Sequence, residues 1–253
     1  VVIIGGGVHG LSTAYYLGKL GVNDVAVLDK GYLGGGASAR TTAIIRANYL
    51  TPEGIPFFRE SLKLYENLAQ DLDFNLLFSQ MGRLDIGHTD SALFGLRLRT
   101  EFNQMLGVDS RMIGPAEVKE LVPAIDLREK KPLPITGALY HPPGGVIRHD
   151  AVVWGYARGA DRLGAELHPF TEVTGITRTN GRVTGIETGA GRVQAGIVVS
   201  ATAGWSSTIA AMVDVKLPIT THPLQAFVTE PLKPFLDRTV SSANLHAYVY
   251  QTD

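Results

Sequence analysis

Residues 1–30 read VVIIGGGVHGLSTAYYLGKLGVNDVAVLDK. An apolar run at residues 1–4 meets the turn Gly5-Gly6-Gly7-Val8-His9-Gly10, and residues 11–20 then read as a helix. A second apolar run, residues 25–28, ends in Asp29. Strand, glycine turn, helix, strand and acid in this order form the layout that holds the ADP half of a dinucleotide. Gly5 permits the tight turn out of the strand, Gly7 lets a pyrophosphate reach the backbone, and Gly10 lets the helix lie close on the sheet. The free N–H groups and positive dipole end of that helix then face the phosphates. Asp29, 19 residues past Gly10, stands where a carboxylate accepts bonds from ribose hydroxyls. A glycine turn kept for packing alone is the alternative, and it leaves Asp29 without a role.

The bulk composition narrows the partners. The 253 residues suffice for one large or two modest domains, and 45% hydrophobic residues suit a globular core. Lys and Arg number 23 against 24 Asp and Glu, so neither nucleic acid nor an anionic membrane is an expected partner. The absence of cysteine excludes a disulfide framework, a thiolate metal site and a cysteinyl flavin link, and it fits a reducing cytoplasm. No apolar run reaches the roughly 18 residues of a membrane span. Both ends read as cut: Val1 falls inside a strand, and residues 247–253 read as a strand reaching a turn.

Beyond Asp29 comes a second glycine-rich loop, residues 31–38, leading into Arg40-Thr41-Thr42-Ala43-Ile44-Ile45-Arg46. Phe58, Ser61, Leu62, Tyr65 and Leu68 keep helical spacing across about 53–70. A strand is expected at 83–87, a helix at about 90–106 and a short helix opened by Pro115 at 115–121. A charged proline loop at 130–134 precedes a strand at 137–140. Asp150 is placed to cap a helix that stops at Gly164. Residues 173–179 and 182–188 flank Asn180-Gly181, a two-residue hairpin signal, and open a β-meander. A buried strand is expected at 197–201, a turn into a helix at 202–207, and strands of a separate sheet at 220–230 and 247–251. A nicotinamide domain would continue β-α-β after Asp29. This chain leaves for more than 100 residues and returns through a helix, the meander and a strand, which is the order of a two-domain flavoprotein.

VVIIGGGVHGLSTAYYL, VAVLDKGYLGGG, TTAIIRANYL, GVIRHDAVVWGYARGAD and THPLQAFVTEPL together resemble the D-amino-acid-oxidase-like flavoprotein family, along the whole chain. Within it they are similar to the branch of heterotetrameric sarcosine oxidase β subunits. The resemblance implies an α/β fold: an FAD-binding Rossmann-like domain of glutathione-reductase type at 1–82 and 145–215, and an incomplete mixed-sheet substrate and interface domain at 83–144 and 216–253. It implies noncovalent FAD along Gly5, Gly7, Gly10 and Leu11, with Asp29 and Lys30 on the adenosine side. Ser38, Arg40, Thr42 and Ile44 would lie along the pyrophosphate and isoalloxazine, Val173 would flank the adenine, and Gly204 would crowd the ADP half. Arg40 read alone is a solvated loop charge, and Gly204-Trp205 a plain strand-to-helix turn.

The resemblance also implies substrate chemistry. Arg46 would pair with an amino-acid carboxylate, a task its planar guanidinium suits; a structural salt bridge is the alternative. His149, in Arg148-His149-Asp150, would carry FMN at the flavin 8α carbon; a loop histidine at a helix start is the alternative. His9 is expected to line the flavin cleft, His88, His141 and His168 have no spaced partner, and no pair has metal-site spacing. The expected reaction is oxidative demethylation of sarcosine, with other subunits as partners. Dimethylglycine, proline or a glycine-like amine is the nearby alternative substrate, and a noncatalytic flavin relay or a nicotinamide dehydrogenase the more distant alternative.

Overall fold

The computed structural model describes residues 1–128 and 132–251. The chain divides into two compact units: Val1–Thr42, Ala69–Leu76 and Arg148–Ala226 form the first, and Ala43–Leu68, Leu77–Ile147 and Phe227–Asp253 the second. The expected domain boundaries shift accordingly. Residues 43–68, 77–82 and 145–147 belong with the second unit, because Ile44–Ile45 pairs with Gly145–Val146 there. Residues 216–226 belong with the first.

The first unit is built on a four-stranded parallel sheet in the order Val198–Ser200, β1 (Val2–Ile4), β2 (Ala26–Leu28), Glu166–His168. Helix α1 (Val8–Lys19) makes the β1–β2 crossover. The apolar runs are continuous because both faces of β1 and β2 are covered. Val2, Ile4 and Leu28 face one core with Val173, Ile186 and Ile209; Ile3 and Val27 are wholly buried. The meander Val173–Thr179, Arg182–Thr188, Gly191–Gln194 is antiparallel, with Arg182 opposite Thr179 across the Asn180-Gly181 turn. Helix His149–Arg162 lies against α1: a Cβ on Gly159 would stand 2.9 Å from the Tyr15 ring, and Tyr15 meets Tyr156 edge-on at 5.7 Å.

The second unit centres on a mixed five-stranded sheet, ordered Ala247–Val249, Thr239–Ser242, Arg83–Gly87, Gly137–His141, Arg111–Ile113. Its core gathers Leu84, Ile86, Ile113, Val118, Ala138 and Val240. A smaller core joins Ala47, Ile55, Leu62 and Val108. Helix Gly54–Leu72 begins in this unit, and its last residues are counted with the first.

Three expectations need correction. The strand expected as buried at 197–201 is Val198–Ser200, an edge strand bonded only to β1 among the described residues, and Ile197 is exposed. Residues 220–230 form no strand: no described strand pairs with them, and Leu224, Phe227 and Val228 stand in solvent. Asp150 is not the helix cap. Arg148 takes that position, and Asp150 sits in the first turn, paired with Arg148 at 2.9 Å. The start of the proline loop expected at 130–134 and the terminal residues 252–253 fall outside the described residues.

The turn after β1 is the tightest point of the first unit. Gly5 has φ +110°, and a Cβ there would lie 2.4 Å from the Ala201 carbonyl oxygen. A Cβ on Gly10 would lie 1.9 Å from the Gly5 carbonyl oxygen, so any side chain must push α1 off the sheet. Gly10→Ala is expected to destabilise the protein by about 1–3 kcal/mol, the usual range for overpacking. Gly196→Ala, with open space around it, should stay within about 0.5 kcal/mol. Chemical denaturation of both variants checks the contrast.

Candidate functional site

Around the β1–α1 turn the first unit forms a cradle of backbone donors. Gly5 N–H donates to the Leu28 carbonyl at 2.8 Å and Gly34 N–H to the Gly6 carbonyl at 2.8 Å, tying the two glycine loops together. The first turn of α1 carries no acidic residue. Val8 N–H donates to Ser38 Oγ at 3.0 Å, while the N–H groups of His9 and Gly10 have no acceptor among the described residues. A Cβ on Gly7 would meet Ser38 Oγ at 3.0 Å, so this glycine keeps the approach open between turn and loop. Unbonded donors at a positive helix end suit a pyrophosphate.

Asp29 has a structural task that sequence reasoning missed. Its two carboxylate oxygens accept Gly6 N–H and Gly31 N–H, each at 2.8 Å, stapling the glycine turn to the loop after β2. Each oxygen has a second acceptor position for a ribose hydroxyl. The residues present therefore fit an ADP moiety. Lys30 reaches across to Trp205, its ammonium 4.3 Å from the ring centroid, and the carbonyl of neighbouring Gly204 accepts the Thr221 hydroxyl at 2.9 Å. Arg40 braces its own loop by donating to the Gly35 carbonyl and, at 2.8 Å, to the Gly36 carbonyl. Thr42 lies half-buried just after this loop.

Other predicted residues take different places. Leu11 is wholly buried and its N–H donates to the Gly7 carbonyl at 3.0 Å, so it is a core residue and presents nothing to the cradle. Val173 opens the meander with its side chain in the core and its backbone opposite Thr188. His9 is exposed. His149 is the half-buried first residue of its helix, and its ring has no hydrogen-bond partner among the described residues. No three His, Asp or Glu side chains converge as a metal site among the described residues.

The second unit holds a different constellation. Ile44–Ile45 carries the chain into Arg46, whose guanidinium stacks over Tyr49 at 4.0 Å; Tyr49 in turn stacks on Phe58 at 3.7 Å. Arg46 Nη1 donates to the carbonyl and to the side-chain oxygen of Asn48, both at 3.2 Å. It makes no ion pair among the described residues, so the salt-bridge alternative is not found. Burial, reinforced by the Arg83 charge, lowers its pKa from the ordinary arginine value.

Sequence reasoning missed what stands behind Arg46. Arg83 and Asp85 alternate with Leu84 and Ile86 along one strand, so the apolar pair enters the core while the charged pair shares the other face. Arg83 grips Asp85 with Nη2 at 2.8 Å and Nε at 3.2 Å; Arg99 stands 3.5 Å from the same carboxylate. Burial pushes the Asp85 carboxyl up, but the Arg83 and Arg99 charges overcome this and hold it below the usual carboxylate range. Asp85 is thus gripped by one guanidinium, approached by a second and linked through Asn48 to a third. The Arg-x-Asp pair inside an expected strand was the available signal.

His141, called unpartnered in sequence, is fully buried in this region. Its Nδ1–H donates to the Asp109 carbonyl at 2.6 Å, leaving Nε2 to accept Ala47 N–H at 3.2 Å. The ring thereby pins the backbone between Arg46 and Asn48. Burial lowers its pKa from the ordinary histidine value, because a proton on Nε2 would be desolvated. A depressed histidine pKa means the unfolded chain takes up the proton first. Its contribution to stability is complete above about pH 6.5 and is lost as pH falls through the folded value. Thermal unfolding midpoints should fall below about pH 6.5, and His141→Gln should flatten that slope while lowering stability at about pH 8.

The chain is 47% identical over 254 residues to the sarcosine oxidase subunit beta of Rhizobium meliloti, covering 100% of this chain and 61% of that protein. It is 44% identical over 252 residues to the sarcosine oxidase subunit beta of an Arthrobacter species, covering 99% of this chain and 62% of that protein. The chain therefore spans about three-fifths of the length of these curated relatives. Among solved structures it resembles the L-proline dehydrogenase of P. horikoshii, with a TM-score of 0.87, 29% identity, and coverage of 99% of this chain and 66% of that one. The model of the family described as FAD dependent oxidoreductase matches residues 1–253. The match runs over the whole chain, which therefore belongs to the FAD-dependent oxidoreductase family.

Proposed function

We propose that this chain carries the amine-oxidising site of a flavoenzyme that demethylates sarcosine, giving glycine and formaldehyde or methylene-tetrahydrofolate. Arg46 is the observation that carries the reading. It is a half-buried guanidinium with no carboxylate of its own, and among the described residues its Nε and Nη2 edge has no partner. That edge matches a carboxylate through two parallel hydrogen bonds. FAD, when bound, supplies the two-electron acceptor for oxidation of the carbon–nitrogen bond, and FMN attached to His149 supplies an electron relay toward oxygen. Gly5, Gly7, Gly10, Asp29, Lys30 and Ser38 hold the dinucleotide, with Arg40, Thr42, Ile44, Val173 and Gly204 completing its surroundings. The positive charge of Arg46, Arg83 and Arg99 disfavours an ammonium and so favours the neutral amine, the form that gives up electrons.

The relatives named as sarcosine oxidase β subunits support both the substrate and an assembly with other subunits, and the cysteine-free sequence suits a cytoplasmic location. Dimethylglycine, proline and glycine-like amines present the same carboxylate to Arg46. The likeness to a proline dehydrogenase supports a cyclic secondary amine as the second reading. A relay subunit without turnover is excluded if an amino acid bleaches the bound flavin.

Arg46→Met in the full-length protein, assembled with its partner subunits, should lower kcat/KM for sarcosine by about tenfold to about a hundredfold, the cost of hydrogen bonds to a charged group. Steady-state kinetics check this, and an unchanged kcat/KM overturns the reading. Acid precipitation of the same assembly should leave FMN in the pellet and FAD in the supernatant. His149→Ala should empty the pellet of flavin, whereas FAD alone from the wild type removes FMN from the scheme.

A further inference from the structure

The half-buried Arg46 guanidinium owes its orientation to a chain of hydrogen bonds that begins at a buried acid. Asp85 Oδ2 accepts Asn48 Nδ2–H at 2.8 Å. That bond fixes which way the Asn48 amide faces, because a flipped amide would set oxygen against carboxylate and NH2 against guanidinium. The amide oxygen is therefore the group turned toward Arg46, where it accepts from Nη1 at 3.2 Å alongside the Asn48 backbone carbonyl. Tyr49 holds the flat face of the same guanidinium, and Ala47 is fixed by its bond to His141 Nε2. Only one of the terminal nitrogens is tied down this way. The opposite edge, Nε and Nη2, remains presented as a fork.

We propose that Asn48 and Asp85 are positioning residues: Asp85 orients the Asn48 amide, and the amide holds Arg46 with its free edge aimed for a substrate carboxylate. The inference rests on the reading of Arg46 as the carboxylate anchor. Asp85 acts at a distance from the ligand. Its carboxylate is already gripped by Arg83 and approached by Arg99, so it is itself immobile and gives the amide a fixed reference. Asn48 is wholly buried, as is required of a side chain whose role is to transmit orientation. A guanidinium left to rotate would still attract carboxylates but would lose the parallel pair of bonds.

Acetate and sarcosine test this in the full-length, flavin-loaded assembly. Acetate affinity is read from its perturbation of the flavin absorbance, and KM and kcat from turnover of sarcosine. Asn48→Ala should weaken acetate binding and raise the KM for sarcosine by about tenfold, the loss expected from one charge-assisted hydrogen bond, with kcat changed less than about twofold. Asp85→Asn should act in the same direction, and Asn48→Ala serves alone if Asp85→Asn does not fold with Arg83 and Arg99 left unpaired. In an Arg46→Met background the Asn48→Ala effect on acetate should vanish, since both changes remove one interaction. If Arg46→Met weakens acetate and Asn48→Ala does not, the positioning role is overturned while the anchor stands. An Asn48→Ala effect that persists undiminished in the Arg46→Met background also overturns it. If Arg46→Met itself leaves acetate affinity unchanged, anchor and positioning role fall together.

Discussion

The carbonyl oxygen of Gly5 occupies the space where a side chain on Gly10 would begin. This contact sets how deeply α1 sits against the parallel sheet, and much of the first unit follows from it. With the helix that close, its first N–H groups emerge beside the end of β1. Ser38 then reaches Val8 N–H from the second glycine loop, and Asp29 reaches Gly6 N–H from the end of β2. Three chain segments are thereby tied around one turn by backbone donors, and two donors are left over for a ligand. A glycine spacing that reads in sequence as a ligand signature is equally a packing requirement. Both demands fall on the same atoms.

The second unit is organised by charge. Its sheet strand Arg83–Gly87 puts Leu84 and Ile86 into an apolar core and turns Arg83 and Asp85 the other way. A buried ion pair contributes little to stability by itself, but removing one member leaves the other buried and unpaired, which costs several kcal/mol. Asp85 is held in this way by Arg83 and Arg99, and through Asn48 it reaches the loop that presents Arg46. The cluster is assembled from a strand, the helix that follows it and a loop some way before both, so the local Arg83-x-Asp85 pair shows only part of it.

Much of the fold was legible in the sequence where a local rule decides it. The glycine turn, the Asn180-Gly181 hairpin and Pro115 at the first turn of its helix each depend on neighbouring residues alone, and each element lies where its signal stood. The errors arose where the outcome depends on distant chain. Residues 220–230 have strand-like composition, but a strand exists only when another edge accepts it. Residues 197–201 are apolar enough to be central yet fall at the sheet edge. Arg46 stood out through its motif, whereas His141 looked solitary because its two shortest bonds go to the backbone of Asp109 and Ala47, which carries no residue signature, with the Ser110 hydroxyl farther off at 3.4 Å. Asp29 was assigned to a ligand; its carboxylate also serves the turn itself.

The excess of guanidiniums over carboxylate in the cluster of Arg46, Arg83, Arg99 and Asp85 has a consequence for the molecule at rest. Unbalanced positive charge in a poorly solvated place opposes folding, and any small anion that settles there relieves it. Binding and folding are then linked: the ligand that the cluster attracts adds to the stability of the folded chain in proportion to the logarithm of its concentration. The second unit is then at its least stable when the cluster holds no anion, and the ions of its surroundings set part of its stability.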